Sequence, residues 1–317
     1  MPQKVILDCD PGHDDAMAIL LAGAAPELEL LAITTVAGNQ TLPKTTLNAR
    51  RVASAAGLRH VPIAAGCDRP LVRPQRIADN IHGESGLDGP TFAGEPEIPL
   101  DPRHAVDLII ELVLASPGEV VLIPVGPLTN IASAIRREPK IVGQIRHISI
   151  MGGAWGLGNQ TPSAEFNILV DPEAARIVVE SGASITLVPL ELTHQAKATP
   201  DVIERFAAIG TPLGDLSVEL LRFFASTYKA RHGFDGPPLH DPTAVARVID
   251  PAIMETKPVH VDIETHAEFS YGRTSIDLYG VTGQPPNAQV AVTLDVARYW
   301  DLMVGAVASY GRGPAAG

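Results

Sequence analysis

The sequence predicts an α/β protein built on a mostly parallel, doubly wound (Rossmann-like) sheet with a helical C-terminal elaboration. Three observations carry that expectation. Short, continuously apolar runs rich in Val and Ile recur along the chain, as they do in parallel strands covered on both faces. Amphipathic helical patterns separate these runs, and strand–helix alternation marks a parallel sheet. The 317 residues are 45% hydrophobic and only 19% charged, enough to fill a large core and too apolar for a disordered chain.

In chain order, Val5–Cys9 reads as the first strand and runs into a helical pattern at Asp15–Gly23. Leu30–Val36 precedes the helical run Thr41–Ala56, which Gly57 stops. Val61–Ala65 is a third strand. His104–Ala115 leads into the strand Val120–Val125, and Leu128–Arg137 into His147–Met151. Pro172 suits a first helical turn, so Pro172–Ser181 reads as a helix ended by Gly182 before the strand Ile185–Leu190. From Pro200 the pattern turns to helices, then to strand-like runs at Val259–Ile263, Thr274–Leu278 and Gln289–Leu294. No linker or repeat divides the chain. Residues 1–310 are therefore expected to form a single domain, and 311–317 a frayed tail. Two segments, Gly66 to about Pro102 and Gly152 to Asp171, are too long for ordinary connections and are candidates for function.

Charge and cysteine usage exclude several classes. Lys plus Arg number 24 against 36 for Asp plus Glu, a net charge of −12. A chain this acidic, with scattered arginines, repels phosphate backbones, so no nucleic-acid partner is expected. Cys9 and Cys67 cannot supply a disulfide framework or a four-thiolate zinc site, and Cys9 reads as a small core residue. The chain enters a strand directly after Met-Pro-Gln-Lys, leaving no room for a signal peptide. Its longest apolar stretch, Ala16 to Ala25, falls short of the roughly 20 residues of a membrane helix. The expectation is a soluble, cytoplasmic protein with no membrane partner.

The main chemical signal is Asp8-Cys9-Asp10-Pro11-Gly12-His13-Asp14-Asp15, which follows a strand and opens a helix. Helix N-termini favour carboxylates, so capping accounts for one or two of them. It does not account for Asp8, Asp10, Asp14 and Asp15 together. Their repulsion calls for a cation, and all-oxygen ligation points to Ca²⁺ or Mg²⁺. Ligands of open parallel sheets bind beyond the carboxyl ends of the strands. That side should also carry Asn39, the glycine pair after Met151, and the polar cluster Asn159, Glu165 and Asn167, suited to binding hydroxyl groups. His82 and His240 stand in polar, loop-like surroundings, and Asp241 beside His240 is a natural further carboxylate for the metal. His13, His60, His104, His147 and His232 show no comparable context.

With these residues in view, the chain resembles the inosine–uridine-preferring nucleoside hydrolase family. The resemblance rests on an ordered series: DCDPGHDDAMA at Asp8–Ala18, AGN at Ala37–Asn39, HGESGLDG at His82–Gly89, GPLTNIA at Gly126–Ala132 and IMGGA at Ile150–Ala154. AEFN at Ala164–Asn167, DPEAA at Asp171–Ala175, LTHQA at Leu192–Ala196 and HDPTAVA at His240–Ala246 complete it. It implies hydrolysis of the N-glycosidic bond of ribonucleosides by a homodimer or homotetramer holding one Ca²⁺. It further implies Asp10, Asp15, Asp241 and the Val125 carbonyl as metal ligands, and Asp10 as general base. Asp14, Asn39, Asn159, Glu165 and Asn167 match sugar-binding positions, with Met151 and Phe166 beside them. His240 matches the acid or leaving-group contact and His82 a base-side contact; Tyr228 could cover the base.

The chemistry agrees with this. Cleavage builds positive charge on the sugar, which carboxylates and amide oxygens stabilise, and a water activated by Asp10 needs no covalent intermediate. Two rivals are a Mg²⁺-dependent phosphatase of the haloacid dehalogenase type and a non-catalytic ribose- or Ca²⁺-binding protein. The first also opens with Asp-x-Asp but usually has Thr or Val where this chain has Gly12; retained Asp10 and His240 argue against the second.

Overall fold

The computed structural model describes residues 1–92 and 94–311, the side chain of His232 excepted. From residue 312 on, the expected tail lies outside the described residues. The strands in chain order are β1 (Gln3–Cys9), β2 (Leu28–Thr35), β3 (Ile63–Ala65), β4 (Leu100–Asp101), β5 (Val120–Pro124), β6 (Ile145–Met151), β7 (Ile185–Val188), β8 (Met254–Ile263), β9 (Thr274–Asp277) and β10 (Ala288–Leu294). They form one ten-stranded sheet in the order β4-β3-β2-β1-β5-β6-β7-β10-β8-β9. From β4 to β10 the pairs are parallel; β8 and β9 are added antiparallel at one end.

Local chemistry sets the elements that hold this sheet. The apolar strands β1 and β5 are buried almost throughout because helices cover both faces. Thr41 and His104 stand at the N-caps of Leu42–Ala55 and Ala105–Ala115. Asp171 caps Pro172–Val179 by accepting from the Ala174 N–H at 3.0 Å. Gly57 and Gly182, read as stops, both take positive φ, 69° and 83°.

Two features differ in detail from the sequence reading. The long segments carry structure of their own: a short helix at Asp79–His82 and β4 in the first, and a helix at Phe166–Val170 in the second. The C-terminal strand-like runs, to which the sequence reading assigned no sheet, extend the main one, with β10 running parallel beside β7. Such long-range pairing leaves no local signature. Among the described residues, no helix is long and apolar enough to cross a membrane.

Candidate active site

β1 and β5 are sheet neighbours, and the chain winds outward from them in opposite directions, through β2–β4 on one side and β6–β7 on the other. A crevice opens at the carboxyl ends of the strands where winding reverses. Asp10 is the first residue beyond β1 and Val125 the first beyond β5. The Asp10 carboxylate fits so closely between the Gly38 and Gly126 backbones that a Cβ at either position would overlap its oxygens. Its Oδ2 accepts the Asn39 N–H at 2.6 Å, whereas its buried Oδ1 has no hydrogen-bond partner among the described residues.

The helix His13–Ala24 starts at once and positions the next two carboxylates. Asp15 accepts from the Asp10 N–H at 3.0 Å, the Gly12 N–H at 2.9 Å and Asn39 Nδ2 at 3.1 Å. Capping is thus part of its role. The Asp14 carboxylate faces the backbone N–H groups of His240 and Asp241 at the start of the helix Asp241–Ile249, which partly offset the burial that raises it. One oxygen from each of Asp14, Asp15 and Asp241 lies within 4.8 Å of the others. Ionised carboxylates only accept, so oxygens this close call for a proton or a cation between them. Burial first, and neighbouring carboxylates second, raise Asp10, Asp14 and Asp241 well above the ordinary carboxylate range. Asp8 is engaged elsewhere, accepting from Thr34 Oγ1 at 2.5 Å and Asn130 Nδ2 at 2.8 Å.

The structure brings Asp14, Asn39, Val125, Met151, Asn159, Glu165, Phe166, Asn167, Asp241 and the residues His82, Tyr228 and His240 to the lining of one cavity. Asp10 and Asp15 are fully buried and are not part of that lining. Asn167 Nδ2 donates to the Val125 carbonyl oxygen at 2.7 Å and the Met151 carbonyl oxygen at 3.3 Å, bridging the ends of β5 and β6. Glu165 caps the helix Phe166–Val170 and also accepts the Gly153 N–H at 3.1 Å, which holds the glycine turn after β6 against it. Burial raises its carboxyl despite these donors. Asn159 Oδ1 is buried without a hydrogen-bond partner among the described residues.

On the opposite wall, the His82 ring lies over Gly12, where a Cβ would strike it. Its Nδ1 is 3.2 Å from the His13 backbone nitrogen and 3.1 Å from His13 Nδ1, and Phe224 stacks on the same ring. Burial lowers His82 well below the ordinary imidazole range and His13 to about 4, so both are neutral near pH 7. The sequence reading left His13 as a structural residue; it packs directly against His82, behind the cavity wall. His240 is engaged at both nitrogens: Nδ1 lies 2.7 Å from Thr193 Oγ1 and Nε2 lies 2.7 Å from the Tyr228 hydroxyl. Thr193 and Phe224 are additions made by the structure. Thr193 stood inside the LTHQA match, so a signal for it existed; Phe224 carried none.

The family model described as inosine-uridine preferring nucleoside hydrolase matches residues 5–301. The chain belongs to that family. It is 48% identical over 312 residues to the inosine-uridine preferring nucleoside hydrolase of Leishmania major, covering 98% of this chain and 99% of that one. A pyrimidine-specific ribonucleoside hydrolase of Escherichia coli K12 is 47% identical over 309 residues, covering 97% and 98%. Among solved structures, a purine-preferring ribonucleoside hydrolase from Gardnerella vaginalis superposes with a TM-score of 0.92 at 30% identity, covering 98% of this chain and 99% of that one. The hydrolase therefore acts on the N-glycosidic bond of ribonucleosides. Relatives named for purines and for pyrimidines both match it along nearly the whole chain.

Proposed function

We propose that this nucleoside hydrolase cleaves ribonucleosides by direct attack of a water deprotonated by Asp10, at a Ca²⁺ centre formed by Asp10, Asp15, Asp241 and the Val125 carbonyl. The observation that carries this reading is the set of buried carboxylates at the end of β1 and the start of Asp241–Ile249, with Asp10 Oδ1 left unpartnered. Uncompensated, such a cluster is strongly unfavourable, and its all-oxygen donors suit a hard cation. When bound, Ca²⁺ supplies positive charge that eases proton loss from water and offers positions to sugar hydroxyls.

The chain's own residues do the rest. Asp10, held by Gly38, Gly126 and the Asn39 N–H, takes the proton from the attacking water. Asp14, Asn39, Asn159, Glu165 and Asn167, with Met151 beside them, hold the ribose; their oxygens stabilise the charge that develops on the sugar. Phe166 lines the same cavity beside the sugar-binding residues, His82 bounds the base side, and His240 assists departure of the base together with Tyr228. We place this activity in one domain of residues 1–310 and in the cytoplasm, in a homodimer or homotetramer. Light scattering of the purified protein tests the last point.

Base and ribose release from inosine, adenosine, guanosine, uridine and cytidine is the primary test; no release from any of them overturns the proposal. Phosphate release from a generic ester would favour the phosphatase alternative instead. Two further outcomes are expected. Prolonged chelation abolishes turnover, and Ca²⁺ restores both turnover and thermal stability. The raised carboxyls of the cation-free site make the folded state bind more protons than the unfolded chain above the ordinary carboxylate range. Their stabilising contribution is thus present in acid and lost as pH rises. A cation displaces those protons, so the gain in Tm from Ca²⁺ should grow from about pH 5 to about pH 8. A gain independent of pH would place the ion elsewhere.

Replacing His240 by Ala should slow turnover in proportion to how poor a leaving group the base is, while an activated nitrophenyl riboside is nearly spared. Equal losses on both substrates would remove His240 from that role.

A further inference from the structure

A second cavity, of about 460 Å³, adjoins the catalytic one. The two share Asn159 and Tyr228 as walls, and none of the carboxylates of the Ca²⁺ centre lines the second. Its size is that of a small-molecule site. The segment after β6 brings Trp155 and Leu157 to it, and the short helix Leu190–Thr193 brings Glu191 with His194 just beyond. Phe234 closes it behind the helix Pro212–His232, which carries Tyr228.

Most of this lining is aromatic. Trp155, His194 and Phe234 are each half-buried. The His194 ring centroid lies 5.4 Å from that of Phe234 and 5.7 Å from that of His240. The Tyr228 hydroxyl is 2.7 Å from His240 Nε2, while its ring centroid is 6.1 Å from that of Phe234. The second cavity thus backs onto the histidine assigned to base departure. Glu191 supplies its carboxylate: Oε1 accepts the Gly156 N–H at 2.7 Å and Oε2 the Trp155 N–H at 3.2 Å. Each oxygen keeps a lone pair for one more donor. Ribose, a polyol, finds few hydrogen-bond partners among rings. A purine or pyrimidine stacks on aromatic side chains and offers N–H groups at its edge, and the neighbouring reaction releases one at every turnover.

We propose that this cavity is a product site that holds the released nucleobase among Trp155, His194 and Phe234, with an N–H of the base donating to Glu191, beside the catalytic cavity and separate from it. The path by which the base arrives rests on the assignment of His240 made above. The site gives Leu157, 78% exposed, a function as well, since a seated base covers apolar surface otherwise left to water.

The test is equilibrium dialysis of labelled uracil against Asp10→Asn enzyme at saturating Ca²⁺, with inosine at about ten times its own Kd to fill the catalytic cavity. About one uracil should bind per chain, with tryptophan emission quenched in step. Trp155 reports this, because the other tryptophan, Trp300, is only 3% exposed. Trp155→Leu in the same background should weaken uracil about tenfold, the effect of losing one base–ring stack. Glu191→Gln, which makes the acceptor neutral, should weaken it about fivefold. Inosine affinity should fall less than uracil affinity in both. No uracil binding and no quench once inosine is bound overturn the proposal, as do variants that weaken inosine and uracil equally. The first measurement decides even if the Trp155 and Glu191 variants do not fold. Ribose appearing in the dialysis cell would count against Asp10 as the base; quenching by uracil of wild-type enzyme without nucleoside then decides the product site, since Trp155 is absent from the catalytic lining.

Discussion

Asp10→Asn should lower kcat on every ribonucleoside by about a thousandfold or more, the upper range of what a general base contributes, and should also reduce the Tm gain from Ca²⁺. Asparagine keeps one oxygen to accept the Asn39 N–H and nearly the same shape between Gly38 and Gly126, but an NH2 group replaces the other carboxylate oxygen. It cannot take a proton from water. Asp10→Ala removes the oxygen as well and should lower both rate and cation-dependent stability. Asn39→Ala, which deletes one amide contact to Asp15, should cost much less. Steady-state kinetics with parallel melting curves separate these cases. An Asp10→Asn variant with a near wild-type kcat would show that another group deprotonates the water.

The second large effect concerns the sugar. Selection for ribonucleosides over 2′-deoxynucleosides should reach about 10⁴-fold in kcat/KM, because sites built for a hydroxyl leave buried polar groups unmatched when it is missing. Asp14 and Asn167 line the cavity beside Asp241, and both are almost fully buried. The deoxy compounds have the intrinsically weaker glycosidic bond, so any discrimination comes from the protein. Comparable rates on uridine and 2′-deoxyuridine, or on inosine and 2′-deoxyinosine, would show that the diol is not what this cluster grips.

Much of this was legible before folding was considered. The core strands through Val188 and the helices between them follow from runs of Val and Ile and from caps such as Asp171 and stops such as Gly57. Those signals act within a few residues and are written locally. The aspartate cluster was legible for the same reason, because carboxylates this dense cannot be explained by capping alone. Asn159, Glu165 and Asn167 stood out as a polar cluster in one long segment, the resemblance matched them to sugar-binding positions, and all three line the cavity.

Other features needed the tertiary structure. His13 gave no sign of partnering His82, which is 69 residues away, and His240 Nδ1 meets the Thr193 hydroxyl across 47 residues. The sequence by itself determined which residue types are available and which strand ends carry them, since hydrophobic periodicity and turn chemistry depend on near neighbours. The tertiary structure decided which of those groups meet. Asp241 joins Asp14 and Asp15 only because the winding of the sheet reverses between β1 and β5, and burial then removes the water that would otherwise screen one carboxylate from the next.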